Sequence, residues 1–214
     1  MRRRFLSHRG CWKQGYIKNS LEAFERSFRH GYGIETDIRD SIGELVVSHD
    51  IPLGPCLKLR EVIIAASLAT EDRPVTLALN IKSDGLQDLL KLEFANNPDL
   101  DYFVFDMAVP DMGSYLNAKI QTFTRLSDVE PWPAWLDRSQ GVWLDAFETE
   151  WYSAEVIVNL LAGGKRVCVV SPELHGRAHE SLWNQLAKIW HTPNLLLCTD
   201  FPDEAMRFFS SKYG

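Results

Sequence analysis

Three polar triplets in the first fifty residues each stand where an apolar run ends. They are His8-Arg9-Gly10 after Phe5-Leu6, Glu35-Thr36-Asp37 after Gly33-Ile34, and Ser48-His49-Asp50 after Leu45-Val46-Val47. Two histidines, two carboxylates and an arginine drawn together cost desolvation energy, so a core has no use for them. A site that holds a cation and moves protons on a phosphate ester would use them all. A lone histidine at a strand end is more often structural. Two of them beside an acidic pair and Arg9 make His8 and His49 candidate general base and general acid, because imidazole titrates near neutrality. Arg9 offers a planar fork of donors for phosphate oxygens, or else an ordinary surface salt bridge. Asp50 would orient His49 or cap the following turn.

Glu35 and Asp37 lie two apart, so on a strand their carboxylates share a face. Inside a barrel two such charges repel unless a cation lies between them. Oxygen donors without cysteine or a histidine cluster favour Mg²⁺ or Ca²⁺ over zinc. Alternation with Ile34 and Ile38 would equally suit surface acids on an edge strand.

Apolar runs of strand length occur at Arg4–Ser7, Gly33–Ile38, Val75–Ile81, Tyr102–Met107, Ile120–Arg125, Val142–Ala146, Arg166–Ser171 and Leu195–Thr199. Most are nearly continuous, as parallel strands covered on both faces should be. Between them, Asn19 with Glu22 reads as a capping box, followed by a Leu21, Phe24, Phe28 stripe and a Gly31 stop. Further helices are predicted at Leu57–Leu68, Gly85–Ala95, Ser153–Leu161, His179–Trp190 and Asp203–Phe209, with Leu126–Gln140 mostly loop. Strands alternating with helices in this way predict a compact (β/α)8 TIM barrel of the α/β class. An open doubly wound sheet is the alternative, but no Gly-rich dinucleotide or P-loop motif follows the first strand. Residues 41–48 predict a small hairpin inserted after strand two, which would bring His49 near that strand's end. In such a barrel, catalytic groups gather at the C-terminal ends of the strands.

The chain has 214 residues, 45% of them apolar, enough for one catalytic barrel domain over residues 1–214. A net charge of −6 argues against a nucleic-acid or anionic-membrane surface, and Arg2-Arg3-Arg4 is too short to reverse it. No apolar stretch approaches the roughly 18–20 residues of a membrane span, so no stable insertion is expected. Nor does a signal-peptide pattern follow the arginines. Cys11, Cys56, Cys168 and Cys198 lack CxxC spacing and read as free thiols of a reducing, cytoplasmic setting.

Taken in order, Ser7-His8-Arg9-Gly10, Asn19-Ser20-Leu21-Glu22-Ala23-Phe24, Gly33-Ile34-Glu35-Thr36-Asp37 and Val47-Ser48-His49-Asp50 resemble the glycerophosphodiester phosphodiesterase family. Leu197-Cys198-Thr199-Asp200-Phe201-Pro202 looks like that family's closing Thr-Asp-x-Pro. The similarity is weaker between about residues 51 and 190. The resemblance implies a phosphoric diester hydrolase that cleaves a small anionic glycerophosphodiester into glycerol phosphate and an alcohol. It assigns Glu35 and Asp37 to the metal, His8 and His49 to proton transfer, and Arg9 to phosphate. A lysophospholipid, a sugar–glycerol phosphodiester, or a degenerate barrel that binds without turnover are the alternatives.

The third strand departs from the family. Where Asn-Ile-Glu-x-Lys is expected, Leu79-Asn80-Ile81-Lys82 sets Asn80 at the acid's place, keeping the geometry while losing one charge. Asn80 is then a weaker metal ligand, Lys82 a phosphate ligand, and Asp106, Asp145, Glu148 or Glu173 are candidates to compensate. Ile51–Pro55 leaves little room for a cap. The strand-seven end lacks the family's Trp-Thr, and Arg125, Glu173, His175 and Arg177 would build a polar pocket on the alcohol side or serve as solvated loop residues. Trp132, Trp135, Trp143 and Trp151 fall near loops of the same end and would stack on a sugar, line a lipid-binding lip, or pack under a loop.

Overall fold

The computed structural model describes residues 4–13, 15–69 and 74–213. Arg2 and Arg3 of the basic run lie outside them. Eight parallel strands form the barrel: β1 (Phe5–His8), β2 (Gly33–Ser41), β4 (Thr76–Ile81), β5 (Asp101–Phe105), β6 (Phe123–Leu126), β7 (Gly141–Leu144), β8 (Arg166–Val170) and β9 (Leu195–Thr199). The short β3 (Glu44–Val47) pairs antiparallel with β2. The hydrogen-bonded order is β5-β4-β2-β1-β9-β8-β7-β6. A parallel bridge from Val104 to Thr122 brings the two ends together, and the Val104 amide donates to the Gln121 carbonyl at 2.8 Å. The expected (β/α)8 barrel is the observed one, each strand falling within two or three residues of its apolar run.

Helices α1 (Leu21–Arg29), α2 (Leu59–Leu68), α3 (Gln87–Ala95), α4 (Val109–Asn117), α5 (Ala154–Ala162), α6 (Glu180–Ala187) and α7 (Pro202–Tyr213) flank the sheet. Beyond Leu126, the last residue of β6, the stretch to Gln140 is turn and loop, as its prolines imply. Two differences from expectation have physical causes. Ser20, not Asn19, caps α1, accepting from the Ala23 amide; Asn19 sits at φ +59°, with its side chain turned to the site. The helix α4 was not predicted. Pro110 and Gly113 disguise it, yet a proline in the first helical turn lacks only an amide that would have no partner there.

The hairpin between β2 and β3 turns on Ile42 and Gly43, both at positive φ, the geometry that matches the strand twist of a two-residue connection. Alternation along the strands sorts their side chains. Ile34 and Ile38 face outward into a core shared with α1 and α2 residues such as Phe24 and Val62. Leu6, Ala78, Phe103, Phe123, Cys168 and Leu196 fill the barrel interior. Trp143 is one of these interior residues rather than a loop residue, stacked on Phe105 at 4.0 Å. Among the described residues no helix is long and apolar enough to cross a membrane.

Candidate active site

Above the apolar interior, the C-terminal ends of the strands turn polar. His8, Arg9, Lys18, Glu35, His49, Asn80, Lys82, Asp106, Asp145 and His175 line one cavity of about 420 Å³, with Trp143, Phe147, Val170 and Leu174. That is within the range of small-molecule sites, about 300–1,000 Å³.

Backbone register makes the first part of this arrangement. His8 pairs with Glu35 across β1 and β2, and Asp37 pairs with Asn80 across β2 and β4. Both acids point inward while Ile34 and Ile38 point outward, so the edge-strand alternative is excluded. The Arg9 amide donates to the Glu35 carbonyl at 2.9 Å, and Arg9 and Gly10 both take positive φ. Gly10 is required twice over: a side chain there would be strained, and its Cβ would stand 2.8 Å from that of Ala23. This turn aims His8 and Arg9 into the cavity.

His8 Nδ1 bonds to Asp200 Oδ1 at 2.8 Å, leaving Nε2 toward Glu35 Oε2 at 3.9 Å. Burial pushes the Asp200 carboxyl up. The hydrogen bond and charge of His8, helped by Lys18 and Trp12, outweigh this and hold it below the ordinary carboxylate range. Glu35 is fully buried. Burial pushes its carboxyl up, opposed by His8 and reinforced by Asp37. Asp37 is held on three sides: Arg9 Nε lies 3.0 Å from Oδ2 as an ion pair, Asn19 Nδ2 donates to Oδ2 at 2.9 Å, and Lys82 Nζ lies 3.5 Å from Oδ1. Lys82 also reaches Asp106 at 3.7 Å.

Among the described residues, three buried oxygens here accept no hydrogen bond: Glu35 Oε2, Asp37 Oδ1 and Asn80 Oδ1. Orphaned buried acceptors from three side chains on neighbouring strands are what a hard cation would satisfy. The set therefore fits a divalent ion, with Asn80 contributing an amide in place of charge. Among the described residues no three His, Cys, Asp or Glu side chains form a metal-holding group, so none of the compensating acids joins Glu35 and Asp37. Asp106 pairs with Arg125, Asp145 with His175, Glu173 receives the Thr199 hydroxyl and the Asp200 amide, and Glu148 is exposed.

His49 lines the cavity at its rim, half-exposed, with Nδ1 on Asp50 at 2.9 Å. Sequence reasoning missed two partnerships: Asp200 for His8, and Asp145 for His175. The Thr-Asp-x-Pro ending was the signal for the first. Of the tryptophans, Trp132 and Trp135 are exposed, while the Trp151 indole donates to the Asp145 carbonyl.

No protein-family model and no curated protein matches the sequence. Solved structures do. A glycerophosphodiester phosphodiesterase from Agrobacterium tumefaciens superposes with a TM-score of 0.66 at 14% identity, covering 97% of this chain and 99% of that one. A glycerophosphoryl diester phosphodiesterase from Parabacteroides distasonis gives 0.68 at 17% identity, covering 97% and 86%. The chain has their barrel fold. A dihydropteroate synthase from Anaplasma phagocytophilum also aligns, at 0.54 and 12% identity over 98% of each chain. One barrel thus carries unlike chemistries, and the site must decide between them. The resemblance carried by the early motifs is met again in the fold.

Proposed function

We propose that the chain is a metal-dependent phosphodiesterase of the glycerophosphodiester type, acting on a small anionic glycerophosphodiester. The observation that carries this reading is the His8–Asp200 pair facing Glu35 in a cavity that also presents Arg9 and Lys82. Glu35, Asp37 and Asn80 would hold Mg²⁺ or Ca²⁺, which when bound neutralises charge on the phosphoryl oxygens. Asp200 fixes the His8 tautomer with Nδ1–H donated, so Nε2 is free to take the proton of an attacking glycerol hydroxyl. Arg9 and Lys82 bring cationic donors to the phosphate. A second imidazole returns a proton to the departing alcohol, His49 on the sequence reading. Four free thiols suit a cytoplasmic setting.

Hydrolysis of glycerophosphocholine, assayed with Mg²⁺, with Ca²⁺ and with chelator, tests the proposal. Metal-dependent turnover lost in His8→Ala and Glu35→Ala supports it. Metal binding without turnover of any ester replaces it with a binding barrel. One observation favours a lipid-tailed ester: Ile17, Ile51, Leu53 and Trp132 are exposed on the loops that follow β1, β3 and β6. Turnover confined to lysophospholipid would select that substrate.

A further inference from the structure

The cavity carries a second imidazole–carboxylate pair. His175 Nε2 bonds to Asp145 Oδ1 at 2.7 Å, leaving Nδ1 as the nitrogen available to a substrate. Asp145 is nearly buried, with 7% of its side chain exposed. The same Oδ1 accepts the Ala146 amide at 2.7 Å.

Its surroundings are held from several directions. Trp151 donates to the Asp145 carbonyl at 2.8 Å, and Arg177 to the Ala146 carbonyl. The Asp128 carboxylate accepts the amides of Phe147, Glu148 and Thr149. The Phe147 ring packs on the imidazole, centroids 5.1 Å apart. His175 itself ends a single 3₁₀ turn, Pro172–His175, closed by Gly176 at φ +72°. Such support fixes a ring to the accuracy that proton transfer requires. His49 is held less closely: Arg39 Nε donates to its carbonyl at 3.1 Å, but its partner Asp50 is 92% exposed, and a pair in water orients weakly.

We propose that His175, held by Asp145, is the general acid of the alcohol side, and that His49 at the rim is not the second proton carrier. The assignment rests on the phosphodiesterase reading above. The attacking hydroxyl oxygen forms the new bond to phosphorus and gives its proton to His8 Nε2. The bond from phosphorus to the alcohol oxygen breaks with its electron pair on oxygen, which takes the proton from His175 Nδ1. One proton goes to His8 and one leaves His175; none is transferred to Asp145 or Asp200.

The test compares leaving groups on the full chain in the presence of divalent metal. Glycerophosphoethanolamine releases an alkoxide that must be protonated; glycerol p-nitrophenyl phosphate releases a phenolate that need not be. His175→Ala and His175→Gln should lower kcat/KM on the first by about 10²–10⁴-fold, with a loss on the second at least tenfold smaller. Asp145→Asn, which keeps the shape, should show the same split. His49→Ala should affect both esters alike. Equal losses for both esters in the His175 and Asp145 variants overturn the assignment, as does a leaving-group split in His49→Ala. A wild-type chain inactive on both esters defeats the phosphodiesterase reading itself, and the acid role with it.

Discussion

Asn19 donates from Nδ2 to Asp37 Oδ2 at 2.9 Å while its own Oδ1 accepts the Thr36 hydroxyl at 2.9 Å. One side chain in the β1–α1 loop thus fixes two neighbouring residues of β2, and its backbone needs φ +59°, which asparagine tolerates. Asn19→Ala should destabilise the fold by about 1–3 kcal/mol through the buried acceptor left behind, plus roughly 1 kcal/mol for alanine at positive φ. Asn19→Gly should recover only the backbone part. Urea unfolding of the three chains checks this; equal stability of Ala and Gly variants would show that the backbone conformation costs nothing.

The His8–Asp200 pair sets an acid limit. Because the folded Asp200 carboxyl titrates below the unfolded one, its contribution is present above about pH 3.9, the unfolded value. It is lost as pH falls through the lower, folded value. His8→Gln removes the charge and lets the carboxyl rise, so acid unfolding followed by circular dichroism should begin at higher pH. Asp200→Asn should lower kcat by about 10²-fold or more, the range of a lost acid–base orientation.

Glu35 is an ionisable group kept where burial disfavours its charge. Glu35→Gln retains the shape and removes that cost. In metal-free buffer at neutral pH the variant should melt higher, by about 2–4 °C for each kcal/mol relieved, while turnover disappears. A lower melting temperature would mean that His8 and Arg9 already compensate the carboxylate in full.

Asn80 has no hydrogen bond at Oδ1 among the described residues and places Nδ2 3.4 Å from Glu35 Oε1. Asn80→Glu should tighten divalent-cation binding by roughly tenfold, equal to 1.4 kcal/mol, measured by calorimetry with Mg²⁺ and with Ca²⁺. An unchanged affinity would remove this position from the cation site.

The strands were legible because parallel strands covered on both faces carry near-continuous apolar runs, as at Leu195–Thr199. The helix α4 was not, since Val109-Pro110-Asp111-Met112-Gly113 looks like a breaker until Met112, Tyr115 and Leu116 are seen to be buried. Asn19 and Ser20 are both capping residue types, and only the backbone decides between them. His8, Glu35 and Asp37 could be read locally, two of them from strand alternation. The pairings were harder: Asp200, 192 residues from His8, was marked only by the Thr199-Asp200-Phe201-Pro202 ending, and nothing marked the bond of His175 to Asp145 across 30 residues. Pairings made by closing a ring of strands leave no spacing in the chain to read.

The ring is not equally thick all round. Every neighbouring pair of barrel strands shares a ladder except β5 and β6, which meet through Val104 and Thr122. The outer core of β2 through β5 packs as one cluster, and that of β6 through β9 as another, with Phe5 and Tyr32 in the second. A hoop with one thin weld parts at the weld, so amide protons there should be the first in the wall to exchange with solvent. A cut in the connection just beyond β5 would yield two half-barrels, each keeping most of its own oil, and the pieces would have reason to find one another again.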